Sequence, residues 1–137
     1  MAKLKLDSDP EPEVFLIAIS SHVNDYRICW SLNNSLGLDL CRRDEDIEGQ
    51  GPERMARFSA FDHREEESQA TITLVSNHAP EGVLVADQRQ ADYFLLVDEA
   101  CSLRPDEALE RVKMAEFVLT AFTLDITNIK GAYKLLE

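Results

Sequence analysis

The stretch Gly82–Val97, GVLVADQRQADYFLLV, decides how the chain is read. It holds a short apolar run (Val83, Leu84, Val85), a polar break from Asp87 to Gln90, and a dense apolar segment, Tyr93-Phe94-Leu95-Leu96-Val97. In the last segment both alternating sets of side chains are apolar. That is the signature of a strand covered on two faces. Asp92 stands at its entrance, where a carboxylate must stay solvated or find a partner, because burying it unpaired is costly. Beside it, Tyr93 offers a large ring with one hydroxyl. Asp92 reads as capping a loop and Tyr93 as filling the core edge, with a catalytic role as the alternative.

The same stretch carries a resemblance. Val85-Ala86-Asp87, then Gln88-Arg89-Gln90, then Ala91-Asp92-Tyr93 resembles the pattern Ile-Pro-Glu, three free residues, Val-Asp-Tyr, for which the IPExxxVDY family of uncharacterised bacterial proteins is named. Asp92 and Tyr93 are the identical positions. Ala86 replaces the proline and with it a fixed φ. A second block, Ser20-Ser21-His22 through Asp25-Tyr26-Arg27-Ile28-Cys29-Trp30 to Leu32-Asn33, is similar to the family's other recurrent segment. The resemblance implies a one-domain bacterial cytoplasmic protein and brings no activity with it.

Charge narrows the partners. Fourteen Lys and Arg stand against 26 Asp and Glu, a formal net charge of -12 over 137 residues. Such a surface repels phosphate backbones and anionic membranes, so neither nucleic acid nor membrane is expected as a partner. No apolar run approaches the roughly 20 residues of a membrane helix. Lys3, Lys5 and Asp7 interrupt anything like a signal-peptide core, which points to the cytoplasm. Cys29, Cys41 and Cys101 are odd in number and form no Cys-x-x-Cys pair, so neither a disulfide framework nor a zinc site is indicated. Cys29 reads as an inert core thiol; Cys41, beside Arg42 and Arg43, is the one whose neighbours favour a thiolate.

Residues 1–13 read as a polar tail and 14–137 as a single domain. Val14–Ile19 (VFLIAI) has the length and composition of a buried strand. Val23–Leu36 reads as a helix, with Ser21 or Asn24 as cap and Gly37 as a left-handed stop. Asn24, Arg27, Ser31, Asn34 and Ser35 gather in one narrow arc. The wide apolar remainder, Tyr26 and Trp30 included, predicts burial on more than one side. Asn33 is the polar exception there and needs partners, either local or across a symmetric interface. This helix is the candidate dimer contact, with burial under its own sheet as the alternative.

Farther on, a short strand is expected at Leu38–Arg42 and a loop through Gly49, Gly51 and Pro52. A hairpin of Ala56–Asp62 with Ala70–Ser76 follows, turning at His63–Gln69. His63 with Glu65, Glu66 and Glu67 lacks a second histidine, so it reads as an exposed tip and no metal is expected. His22 and His78 are equally isolated. Asn77–Gly82 is a loop. Pro105 opens a second helix, with Ala108, Leu109, Val112 and Ala115 on its apolar stripe. Phe117–Ile126 is expected as a strand. Ile129–Leu136 is expected to pack back through Tyr133, Leu135 and Leu136.

These pieces make an α+β protein: an antiparallel sheet with two helices on one face, on a ferredoxin-like (split β-α-β) plan with additional strands. No catalytic residue, cofactor or metal is indicated, since no glycine-rich phosphate loop and no nucleophile beside a base can be found. Two functions remain. The first is a non-enzymatic, self-associating (dimeric) or protein-interaction module. The second is a small-ligand sensor or cryptic enzyme with a cleft near His22, Asp25, Tyr26, Asp92 and Tyr93. Trp30 and Asn33 complete the candidate interface.

Overall fold

The computed structural model describes residues 14–136. The tail expected at 1–13 lies outside them. Strand β1 (Val14–Ser20) leads into helix α1 (Asp25–Leu36), followed by β2 (Cys41–Arg42), β3 (Ile47–Gln50), β4 (Met55–Phe58), β5 (Ala60–Arg64) and β6 (Thr71–Ser76). Then come β7 (His78–Ala79), β8 (Gly82–Val83), a 3-10 turn at Ala86–Gln88, β9 (Tyr93–Asp98), α2 (Pro105–Met114) and β10 (Thr120–Leu124). Short 3-10 segments at Ile126–Asn128 and Ala132–Leu136 close the described chain. The main sheet is six-stranded and antiparallel in the order β10-β1-β9-β6-β5-β2, while β3 pairs with β4 and β7 with β8. The chain is thus α+β, and among the described residues no helix is long and apolar enough to cross a membrane.

The two-faced strand expected at Tyr93–Val97 is β9, near the middle of the sheet. Leu95 lies opposite Ile17 on one side and Leu74 on the other. Tyr93, Leu95 and Val97 join Ile17, Ile19, Ile72 and Leu74 under the helices, against Ile28, Leu32, Leu36, Ala108 and Val112. Phe94 and Leu96 point the other way with Leu16, Ala18 and Val75, into a second core closed by Ile47, Ala56, Phe58, Leu84, Val85 and Leu135. Each large apolar side chain so buried contributes about 1.5–3 kcal/mol relative to exposure. The β3–β4 pair and the last 3-10 segment are therefore the second covering that β9 requires.

Helix α1 corrects one expectation. Its ends are as anticipated: Asn24 Oδ1 accepts from Arg27 N at 3.0 Å, and Gly37 sits at φ 69°. But two residues of the polar arc turn toward α2, while Asn24, Arg27 and Asn34 are exposed. Ser31 is buried and its Oγ donates to Glu116 O at 2.5 Å, while Ser35 Oγ donates to Arg111 O at 2.5 Å. Small hydroxyl side chains let the α2 segment approach closely, and the free carbonyls beyond its helical bonds take the protons. Burial is consequently one-sided, through Ile28, Cys29, Leu32 and Leu36. Tyr26 and Trp30 stay 60% and 54% exposed.

Other differences have local causes. The strand expected over Ala56–Asp62 breaks at Ser59, so that β4 belongs to the small pair and β5 to the main sheet. Phe58 then enters the lower core and Phe61 the upper. The loop expected around Gly49 is strand β3. A Cβ on its glycine would meet the Phe58 ring at 3.0 Å and Leu84 at 3.1 Å, so a side chain there would press on both. Phe117 takes a left-handed φ of 72°, which delays β10 to Thr120. At the C-terminal end Leu135 is buried as anticipated, whereas Tyr133 and Leu136 face outward because the 3-10 turn carries them off the core side.

Asn77, expected only as loop, is fully buried. Its Nδ2 donates to Gln88 O and Ala91 O, both at 2.9 Å, and its Oδ1 accepts from Val85 N at 2.8 Å. Its backbone N–H donates to Asp92 O at 2.9 Å, and its carbonyl accepts from Leu84 N at 2.9 Å. One amide thus hangs the whole 84–92 segment beside β6. Asn77→Ala would leave two carbonyls and one N–H without their partner, and each such group costs about 1–3 kcal/mol when buried. We expect a loss of about 3 kcal/mol, read as a lower urea midpoint at unchanged slope.

Across β5 and β6, Asp62 accepts from Arg43 Nε at 2.6 Å, Arg43 Nη2 at 3.1 Å and Thr73 Oγ1 at 2.7 Å. Burial is the strongest single influence on its carboxyl and pushes it up. The Arg43 and Thr73 hydrogen bonds, with the Arg43 charge, outweigh burial and hold it below the ordinary carboxylate value. A depressed folded-state value stabilises the fold above the unfolded-state value of about 4 and loses that contribution as pH falls through the lowered one. The stability gap between the native protein and Asp62→Asn should therefore be full at neutral pH and shrink below about pH 4, as measured by urea unfolding across that range.

Candidate functional site

Antiparallel pairing of β1 and β9 sets Ile19 opposite Tyr93, so the end of β1 and the start of β9 lie side by side. The chain leaving β1 enters α1, and the chain entering β9 brings Asp92. Ser21 N donates to Asp92 Oδ2 at 2.8 Å, and Tyr93 Oη donates to Val23 O at 2.6 Å. These bonds close the back of a cleft of about 380 Å³ lined by Ser21, Asp25, Arg42, Ser59, Ser76, His78, Asp92 and Tyr93, among others. The two blocks that carry the sequence resemblance meet here.

A hydroxyl chain forms the floor. Ser59 Oγ donates to Asp25 Oδ2 at 2.7 Å, and Ser59 and Ser76 Oγ are 2.7 Å apart. A carboxylate only accepts, so the Ser59 proton belongs to Asp25 and Ser76 donates to Ser59. Asp25 Oδ1 accepts from Tyr26 N at 2.8 Å. The Tyr93 phenol is pushed up to about 12, by burial first and then by the charges of Asp25 and Asp92. It is a fixed donor and stays protonated at neutral pH.

His78 comes near a carboxylate but is not set to act as its base. Its Nε2 is 2.8 Å from Arg89 O and 3.9 Å from Asp92 Oδ1. A carbonyl oxygen only accepts, so Nε2 carries a proton and has no lone pair to offer. Arg42 is committed as well: Nη2 donates to Asp46 at 2.9 Å, Nη1 donates to Tyr26 Oη at 3.0 Å, and the guanidinium stands 5.8 Å from the Tyr26 ring.

The structure thus gathers three of the anticipated residues, Asp25, Asp92 and Tyr93, and separates the others. His22 is exposed and does not line the cleft. Tyr26 stands at its flank, edge-on to Phe61 at 6.0 Å. With Arg27, Trp30, Glu116 and Phe117 it lines a separate groove of about 370 Å³, where the Arg27 guanidinium lies 5.5 Å from the Phe117 ring. Asn33 belongs to neither place. Its Oδ1 accepts from Leu40 N at 2.8 Å and its Nδ2 donates to Leu40 O at 3.4 Å, so its partners are local. Ser59 and Ser76 carried no signal in the sequence, because two serines seventeen positions apart become neighbours only through the β5–β6 pairing.

No protein-family model, curated protein or solved structure matches this chain. The site is therefore read on its chemistry alone.

Among the described residues no group of three or more His, Cys, Asp or Glu is placed to hold a metal ion. His63 accepts instead from Asp39 N at 3.0 Å, and Glu65 accepts from Ser102 Oγ at 2.8 Å. All three thiols are free. Burial, followed by the charges of Cys41 and nearby aspartates, pushes Cys29 up to about 11; burial and then Glu65 do the same for Cys101. Cys41 is exposed. A disulfide reagent at pH 8 should modify one thiol rapidly and two only on unfolding, and Cys41→Ser should abolish the rapid phase.

Proposed function

We propose that the protein is a non-enzymatic module that self-associates through the aromatic groove on the outer side of α1. The observation that carries this reading is the exposure of Tyr26 and Trp30, 60% and 54%, side by side with Phe117. Aromatic side chains that the described residues leave uncovered, rimmed by charge, mark contact surfaces. The rim supports a second copy as occupant: Arg27 and Glu116 both border the groove, and a two-fold axis would set the cation of each copy against the anion of the other. Against a net charge of -12, such complementary pairing is what admits association between like molecules.

The order β10-β1-β9-β6, with helices after β1 and β9, supports a ferredoxin-like (split β-α-β) core into which β2 to β5 are inserted. The convergence of the two family-like blocks supports membership of the IPExxxVDY family of bacterial proteins. Three free thiols support a reducing cytoplasm, and the acidic surface supports the absence of nucleic acid and anionic membrane as partners.

Sedimentation velocity across a concentration series tests self-association. The expected result is a monomer–dimer equilibrium, with Trp30 emission shifting to the blue on assembly. Trp30→Ala should weaken the dimer about 30-fold, the loss typical of a central aromatic anchor of about 2 kcal/mol. A strict monomer at millimolar concentration, with emission unchanged by dilution, would overturn the proposal.

A further inference from the structure

The Asp92 cleft and the aromatic groove are different surfaces with different chemistry, and the cleft has an unbalanced charge ledger. Of its cations, Arg42 is held by Asp46 at 2.9 Å, and Arg57 projects outward, with a side chain 74% exposed and Glu48 3.9 Å away. Asp25 and Asp92 remain. Asp25 accepts from a hydroxyl and a backbone N–H, both neutral. Asp92 Oδ2 accepts from the neutral Ser21 N–H, and the sole charged-group contact of its Oδ1 among the described residues is His78 Nε2 at 3.9 Å. That nitrogen is already hydrogen-bonded to Arg89 O at 2.8 Å, and 3.9 Å is too long for a second bond to Asp92. Among the described residues, two carboxylates therefore line one cavity with no hydrogen bond from a cationic group to either.

The floor adds acceptors of another kind. With the Ser59 proton on Asp25 and the Ser76 proton on Ser59, the Ser76 oxygen keeps lone pairs for a donor from outside. The cavity, about 380 Å³, lies at the small end of the ~300–1,000 Å³ usual for small-molecule sites. An ammonium group has three donors and no acceptor, which is the complement of two carboxylates and a hydroxyl oxygen. An anion finds the opposite: two like charges and an arginine already engaged. A bare divalent cation asks for more carboxylate or imidazole ligands than come together here.

We propose that this cleft binds a small organic cation through a primary ammonium group seated between Asp25 and Asp92, with the Ser76 hydroxyl as third acceptor. The site makes no use of Trp30, so it stands or falls independently of self-association. Butylammonium is the probe, titrated into the full-length protein and followed by amide nitrogen–proton spectra. Butanol, butyrate and calcium chloride are run alongside. The expected result is saturable movement of the Ser21, Ser59 and Asp92 amide signals with butylammonium and none with butyrate. Asp92→Asn and Asp25→Asn, tested separately, each keep an oxygen for Ser21 N or Ser59 Oγ and remove one charge. Each should weaken butylammonium binding about tenfold, the worth of one charge-assisted contact. The same spectra report whether each variant is folded, and either folded variant is sufficient to decide. Three results would overturn the proposal: no saturable movement, an equal response to butanol or to calcium chloride, or undiminished affinity in a folded variant.

Discussion

A strand without a polar face must be covered twice. Tyr93–Val97 presents apolar side chains up and down, so the helices above it account for only half of its burial. The other half falls to a two-stranded pair and a closing 3-10 segment, elements of little intrinsic stability that persist because they sit on Phe94 and Leu96. The 84–92 segment that leads into β9 buries Leu84, Val85 and Ala91, and the backbone groups beside them need partners. Asn77 answers three of them with one side chain. The amide is the polar counterpart of the two-sided strand: without it the approach to β9 would carry unpaired carbonyls into a core.

The cleft follows from that same frame. Because β1 and β9 are antiparallel neighbours, the exit of one and the entrance of the other occur at the same end of the sheet. Ser59 arrives there because the chain must change sheets between Phe58 and Phe61, and Ser76 because it closes β6 opposite Tyr93. The polar floor is thus assembled from residues at which strands stop, where backbone direction changes and side chains need not obey the pleat. His78 and Arg42 look suited to chemistry by type, yet their hydrogen bonds to Arg89 O and Asp46 spend the atoms that chemistry would need.

Periodicity revealed the elements whose apolar residues face a single partner layer or two symmetric ones: β1, β9, both helices and the β5–β6 hairpin were legible from it. It misled at α1, where hydrophobicity was equated with burial. Ser31 and Ser35 go inward because they are small enough to meet a neighbouring backbone, and Trp30 goes outward because nothing among the described residues covers it. It missed β3, whose Gly49 reads as a turn until Phe58 and Leu84 are seen to crowd any side chain there. Of the candidate site, the residues at element starts (Asp25 opening α1, Asp92 and Tyr93 at the entrance of β9) were visible, whereas Ser59 and Ser76 depend on pairings that no local pattern encodes.

Tyr26 has a place in both surfaces. Its ring forms a wall of the aromatic groove, while its hydroxyl accepts from Arg42, which lines the cleft and holds Asp46. Any occupant of the groove that turns this ring must release or re-aim the guanidinium on the far side. Two neighbouring surfaces thus share one side chain, its ring in the groove and its oxygen turned to an arginine of the cleft.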